Sequence, residues 1–116
     1  MILRFRTGPQ RRLRMWAASR KRARSTSCFV AVTGSSGKST TVGLLSHILQ
    51  AHAPTRRQML SNTVNRLIRT LKYHQPEERF VVAELGVGGK GDMAPMANML
   101  QPDVAIVTMV GTEHYS

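Results

Sequence analysis

Residues 33 to 40 read Thr-Gly-Ser-Ser-Gly-Lys-Ser-Thr, a run whose residue types suit the binding of a polyphosphate. Gly34 and Gly37 let the backbone approach an anion with no Cβ in the way. Where such a run leads from a strand into a helix, the N–H groups of Gly34, Ser35, Ser36, Gly37, Lys38, Ser39 and Thr40 and the positive helix end can cradle phosphate oxygens. Lys38 would reach the terminal phosphates and Ser39 would set its hydroxyl on Mg²⁺. A tight glycine turn with no ligand is the plain alternative, and the Lys-Ser-Thr that follows argues against it. The commonest phosphate loop has its first glycine five positions before the second. Here that position is Val32, so the loop is a shorter form.

A second chemical group is Glu84, at the end of the apolar run Phe80 to Leu85. A carboxylate at the mouth of a parallel sheet beside a phosphate loop is a hard oxygen ligand for Mg²⁺; a salt bridge to an arginine is the alternative. Asn62 and Asn65 carry amides before and within a predicted helix, where capping is one account of Asn62 and solvent exposure one of Asn65. His114 taken alone is weak evidence for a ligand, and His47, His52 and His74 have no ligand spacing. Met93, Met96 and Met99 recur at three-residue intervals, which is core packing rather than metal binding. The single Cys28 excludes an internal disulfide and reads as a small buried hydrophobe, in keeping with a reducing compartment.

These groups need elements to hold them. Cys28 to Thr33 is a β-branched apolar run, as a buried parallel strand would be. From Lys38 to about His52 the period becomes helical, with Val42, Leu45, Ile48 and Leu49 on one face and Pro54 closing it. A second strand is expected at Arg57 to Leu60, and a helix capped by Ser61-Asn62 from Thr63 toward Tyr73, with Val64, Leu67, Ile68 and Leu71 inward. Phe80 to Leu85 is a third strand, Asp92 to Leu100 a helix, and Asp103 to Thr108 a last strand. The class expected is α/β, a mostly parallel sheet with flanking helices and a phosphate loop, with ligands beyond the carboxyl ends of the strands. Gly34 to Thr40, Asn62, Glu84 and His114 all fall at that edge.

The 116 residues fit one small domain, and 41% hydrophobic content excludes a disordered chain. No apolar run reaches the roughly 18 residues of a membrane span. The net charge of +11 divides unevenly: residues 1–24 hold nine Arg and Lys and no acid, while the rest, with eight basic and six acidic residues, is at +2. The charge therefore assigns to a basic N-terminal arm, residues 1–27, with a helix from Gln10 to Arg24 after the interruption at Gly8-Pro9. Three readings compete for it: a solvated or membrane-facing helix anchored by Leu13 and Trp16, with weak contact to anionic lipid or nucleic acid; a targeting presequence; or a dedicated nucleic-acid site, against which the lack of aromatic interleaving argues.

The T-G-x-x-G-K-[ST]-T loop resembles that of the Mur ligases and their relatives. Ser61-Asn62-Thr63-Val64-Asn65 is similar to the family's asparagine-containing segment, Glu84-Leu85-Gly86 to its E-L-G strand end, and Pro102-Asp103-Val104-Ala105 through Glu113-His114 to its P-D-x-A…[DE]-H stretch. Motifs in the family's order are far more specific than one loop, and the resemblance leans toward the muramoyl-tripeptide:dipeptide ligase branch. Met109 stands where relatives often have Asn, and Glu113 where they usually have Asp.

The resemblance implies that residues 28–116 are the N-terminal portion of a truncated ATP-binding central domain. It implies a reaction in which a substrate carboxylate attacks the γ-phosphate of ATP and an amine captures the acyl phosphate. Lys38 and His114 would be catalytic, Ser39, Glu84 and His114 would hold Mg²⁺, and Asn62 and Asn65 would lie near the phosphates or metal. The carboxylate and amine substrates stay unidentified, further C-terminal domains are expected, and the setting is cytoplasmic, peripheral to a membrane surface if the arm holds lipid. A phosphate-loop ATPase or kinase of another class and a basic nucleic-acid-binding module are the rival functions.

Overall fold

A computed structural model describes residues 2–59, 63–86 and 93–109, with the backbone alone for residues 2–9. Among the described residues, four helices and four strands follow in the order α1 (Ile2–Arg24), β1 (Cys28–Thr33), α2 (Lys38–Gln50), β2 (Thr55–Gln58), α3 (Val64–Tyr73), β3 (Phe80–Glu84), α4 (Met93–Leu100) and β4 (Val104–Val107). The strands form one parallel sheet in the order β2-β3-β1-β4. Parallel strands are covered on both faces, so β1 and β3 are continuous apolar runs with Phe29, Val32, Val81, Val82 and Ala83 fully buried. Phe29, Ala31, Val81 and Ala83 point to one side, where Leu67, Leu71, Met96, Met99 and Leu100 from α3 and α4 meet them. Val30, Val32 and Val82 point to the other, under Val42, Leu45 and Leu49 of α2.

Several boundaries differ from the sequence reading. The second strand lies at Thr55–Gln58, not Arg57 to Leu60. It is an outer strand whose Arg56 and Arg57 stay at the surface and of which only Gln58 is buried, so its sequence lacks the apolar signature of β1 and β3. On α2, Ile48 is 57% exposed while Ser46 is buried, because the inward stripe runs through Val42, Leu45, Ser46 and Leu49. The cap of α3 is Thr63, whose Oγ1 accepts from Arg66 N at 3.2 Å, rather than the Ser61-Asn62 pair. All four apolar residues expected inward on α3 are buried, and the methionines of α4 pack the core.

The charged N-terminal helix starts earlier than Gln10 and runs through Gly8-Pro9. It lies along α3 and α4, with Ala18 buried and Met15 packed beside it. Arg22 fastens it. Its guanidinium donates to Leu100 O and Gln101 O, pairs with Asp103 at 3.3 Å and sits 3.8 Å above the Phe29 ring. Those carbonyls end α4, so a cation there also meets the negative end of the helix dipole. Asp103 in turn accepts from Phe29 N at 2.8 Å. Arg22→Ala leaves two carbonyls and Asp103 without this partner, and a loss of about 3 kcal/mol is expected. Chemical denaturation should report it as a lower midpoint, with α1 the first element to lose amide protection.

A second fastening lies at the amino edge of the sheet. His74, 4% exposed, takes Ser25 Oγ at 3.0 Å and Ser27 Oγ at 3.3 Å on Nε2, and Glu78 Oε1 lies 3.2 Å from Nδ1. Burial pushes the imidazole below its ordinary value of 6.5, and the hydrogen bond and charge of Glu78 only partly offset this. Burial pushes Glu78 upward, but hydrogen bonds from Arg56 and Gln75 N–H, the Arg56 charge and the bond to His74 hold it below the usual carboxylate range. A group depressed in the folded state gives stability that is present above its unfolded pKa and lost as pH falls. The melting temperature should therefore drop as pH falls below about 6.5 for His74, and again below the ordinary carboxylate value for Glu78. A His74→Gln variant should lose the first of these slopes in thermal scans between pH 8 and 5.

Candidate functional site

The loop between β1 and α2 sits at the carboxyl edge of the sheet, beside the ends of β3 and β4. Gly34 has φ +134°, and a Cβ there would stand 2.2 Å from Thr108 Oγ1 and 3.0 Å from the backbone of Met109. Gly37 takes the left-handed conformation, φ 80°, as the N-cap of α2, with room around it. Two glycines thus serve different ends: Gly34 permits close approach of two backbones, and Gly37 permits a turn.

Thr108 and Met109 brace the loop, a role that their residue types do not announce. Ser35 N donates to Met109 O at 2.6 Å, Thr108 N donates to Thr33 O at 2.9 Å, and Thr108 Oγ1 donates to Ser36 O at 2.6 Å. The only hint was position: both follow β4 directly, and its neighbour in the sheet is β1. Backbone groups of both residues and the Thr108 hydroxyl share this bracing, and a lone threonine after a strand has no pattern that marks such a role.

Lys38 opens α2 and folds back so that Nζ donates to Gly34 O at 2.8 Å, holding the ammonium over the loop. One residue on, Ser39 Oγ donates to Glu84 Oε2 at 2.7 Å. Glu84 is 5% exposed, at the end of β3, and its backbone carbonyl accepts from Gln58 Nε2 at 3.4 Å. Gln58 is itself fixed by Thr70 Oγ1 at 2.9 Å, so α3 and β2 help hold the strand end that carries the carboxylate. A buried carboxylate on a hydroxyl at a helix start gives two hard oxygens beside a cationic side chain. This donor set fits Mg²⁺ bound together with phosphate oxygens.

Gly34 to Thr40 and Glu84 are thus brought together as the sequence suggested. Asn65 is exposed on the first turn of α3, where its Oδ1 accepts from Arg14 Nη2 of α1 at 3.2 Å. Its hydrogen bond is to the basic helix and not to the loop. Asn62 and His114 lie outside the described residues. Among the described residues no group of three or more His, Cys, Asp or Glu side chains gathers as a metal cage. Cys28 is half-buried against the α2 side of the core, and burial, with the nearby Asp103, pushes its thiol up, which suits a packing role.

The Mur ligase middle domain family matches residues 32–116. The chain belongs to the Mur ligase family. It is 32% identical over 95 residues to the UDP-N-acetylmuramoyl-tripeptide--D-alanyl-D-alanine ligase of Synechocystis, a match over 80% of this chain and 21% of that relative. The corresponding ligase structure from Acinetobacter baumannii superposes with a TM-score of 0.83 at 30% identity, over 90% of this chain and 24% of that one. The MurF ligase of Thermotoga maritima, solved in complex with ADP, gives a TM-score of 0.80 at 26% identity over 91% of this chain and 25% of that one. The chain therefore spans about a fifth of the length of the curated Mur ligase it matches.

Proposed function

We propose that this chain is the nucleotide-binding front part of an ATP-dependent ligase that joins a carboxylate to an amine through an acyl phosphate, in cytoplasmic synthesis of a cell-wall precursor. The observation that carries the reading is the Ser39–Glu84 contact of 2.7 Å beneath a Lys38-bearing loop, in a chain of this family. Residues 28–116 correspond on this reading to the N-terminal portion of the central domain, and the substrates follow from the relatives' names: a nucleotide-linked muramoyl peptide as carboxylate donor and a short dipeptide as amine. Completion of the reaction rests with domains like those in the rest of the relatives' length.

Each residue's part follows from charge. Phosphoryl transfer asks the protein for positioning and for charge neutralisation. The loop amides of Gly34 to Thr40 orient the phosphates, and Lys38 places its ammonium against the terminal groups. Ser39 and Glu84 would hold Mg²⁺, which when bound neutralises charge gathering on the transferred phosphoryl group. His114 is assigned a second metal position, and Asn62 and Asn65 positions near the phosphates, on the family resemblance alone. For Asn65 this requires release from Arg14.

Glu84→Gln tests the reading directly, because glutamine keeps the size of the side chain and an acceptor for Ser39. In ATP titrations with and without Mg²⁺, the parent chain should bind more tightly with the ion, and the variant should lose about tenfold of that gain, the scale of one charge-assisted contact. An unchanged gain from Mg²⁺ would make Glu84 a structural partner of Ser39 only.

A further inference from the structure

The fold gathers charge that the sequence keeps apart. Helix α3 carries Arg66, Arg69 and Lys72 and no acid, and it lies directly beside α1 on the same face of the sheet. On α1, Arg11, Arg12, Arg14, Arg20 and Arg24 are exposed, as are all three cations of α3. The third helix of this face, α4, has no charged residue at all. The near balance of residues 25–116 is therefore an average over two sides: α3 adds its cations to those of α1, and none of the three helices contributes a carboxylate.

This face also carries exposed apolar groups. Leu13 is 64% exposed and Trp16 58%, one turn apart, with the Arg20 guanidinium 5.1 Å from the Trp16 ring. Between α1 and α3 lies a cavity of about 330 Å³ lined by the apolar Leu13, Ala17 and Ile68 and by the cationic Arg14, Lys21 and Lys72. Cations beside an apolar slot, with a tryptophan at the surface, match the headgroup-to-acyl boundary of an anionic bilayer. A nucleic acid would use the charge but not the slot, and Trp16 offers no row of aromatics for stacking. No helix among the described residues is long and apolar enough to cross a membrane, so the contact would be peripheral.

We propose that the α1–α3 face docks on an anionic phospholipid surface, with Trp16 and Leu13 entering the headgroup layer and the arginines of both helices meeting lipid phosphates. Trp16 is the only tryptophan, so its emission reports the contact without a label. Vesicles of phosphatidylglycerol and phosphatidylcholine mixed equally should pellet the full chain and shift Trp16 emission to the blue, and pure phosphatidylcholine should do neither. Arg66→Gln with Arg69→Gln should weaken partitioning about 25-fold, at about fivefold for each cation near the surface. Leu13→Ser should weaken it with the charge untouched, and circular dichroism should show all variants folded. Absence of pelleting on the mixed vesicles at low salt overturns the proposal. So does pelleting that the α3 variant leaves unchanged, since the N-terminal segment would then act alone. Retention on duplex DNA without any vesicle contact would assign the face to nucleic acid and overturn it equally.

Discussion

Gly34→Ala is expected to remove nucleotide binding and to destabilise the fold by at least about 3 kcal/mol, more than any other single change at the loop. A methyl at this position has nowhere to go. It would stand 2.2 Å from Thr108 Oγ1 and 3.0 Å from both N and O of Met109. Thr108 cannot turn aside cheaply, because its Oγ1 donates to Ser36 O and Thr33 O, and its backbone N–H is bonded to Thr33. The loop and the end of β4 would have to part, carrying the Ser35 and Ser36 amides away from the positions that a phosphate needs. Gly37→Ala is the internal comparison. There φ is 80° and the nearest atom to a new Cβ is 3.9 Å away, so only the left-handed backbone is penalised, about 1 kcal/mol. Thermal melts of the two variants should separate clearly, and equal melts would mean that β4 does not brace the loop as described.

Lys38→Ala is expected to weaken ATP binding about 10- to 100-fold with little change in stability. The lysine is half-buried and, among the described residues, makes one hydrogen bond, to Gly34 O, so the fold loses little with it. The polyphosphate loses the one side-chain cation that the loop itself supplies. Calorimetry at two salt concentrations should separate this from diffuse attraction, since the chain as a whole carries +11 and any anion is drawn to it. A variant that binds as tightly as the parent at both salts would remove Lys38 from the site.

The parts legible in sequence are those in which local composition and tertiary role coincide. β1 and β3 are buried on both faces and so read as plain apolar runs, with the glycine-rich loop and the helical period of α2 following in order. The Ser39–Glu84 pair was within reach because both residues lie at strand or helix ends that a parallel sheet brings to one edge. β2 lies at Thr55–Gln58, off its expected place, because an edge strand can carry arginines outward and leaves little pattern. The docking of α1 was hidden for a related reason: arginines read as solvated, yet Arg22 is a buried cap on α4. Its signal was the stripe Met15, Ala18 and Arg22, a helical spacing inside a run otherwise dominated by exposed cations. The cations of α1 and α3 lie more than 40 positions apart in sequence yet share a face, which charge counted along the chain does not show.

ATP is expected to bind at the loop, and on a chain of this charge mere affinity for ATP does not establish where it binds. The most direct measurement is therefore an amide chemical-shift titration of the full chain with ATP and Mg²⁺. The largest shifts are predicted at Gly34 to Thr40, with a smaller response at Glu84 and Thr108 and little along α1 and α3. Shifts concentrated on the arginines of α1 and α3, with Gly34 to Thr40 unmoved, would contradict the account and leave the loop a glycine turn.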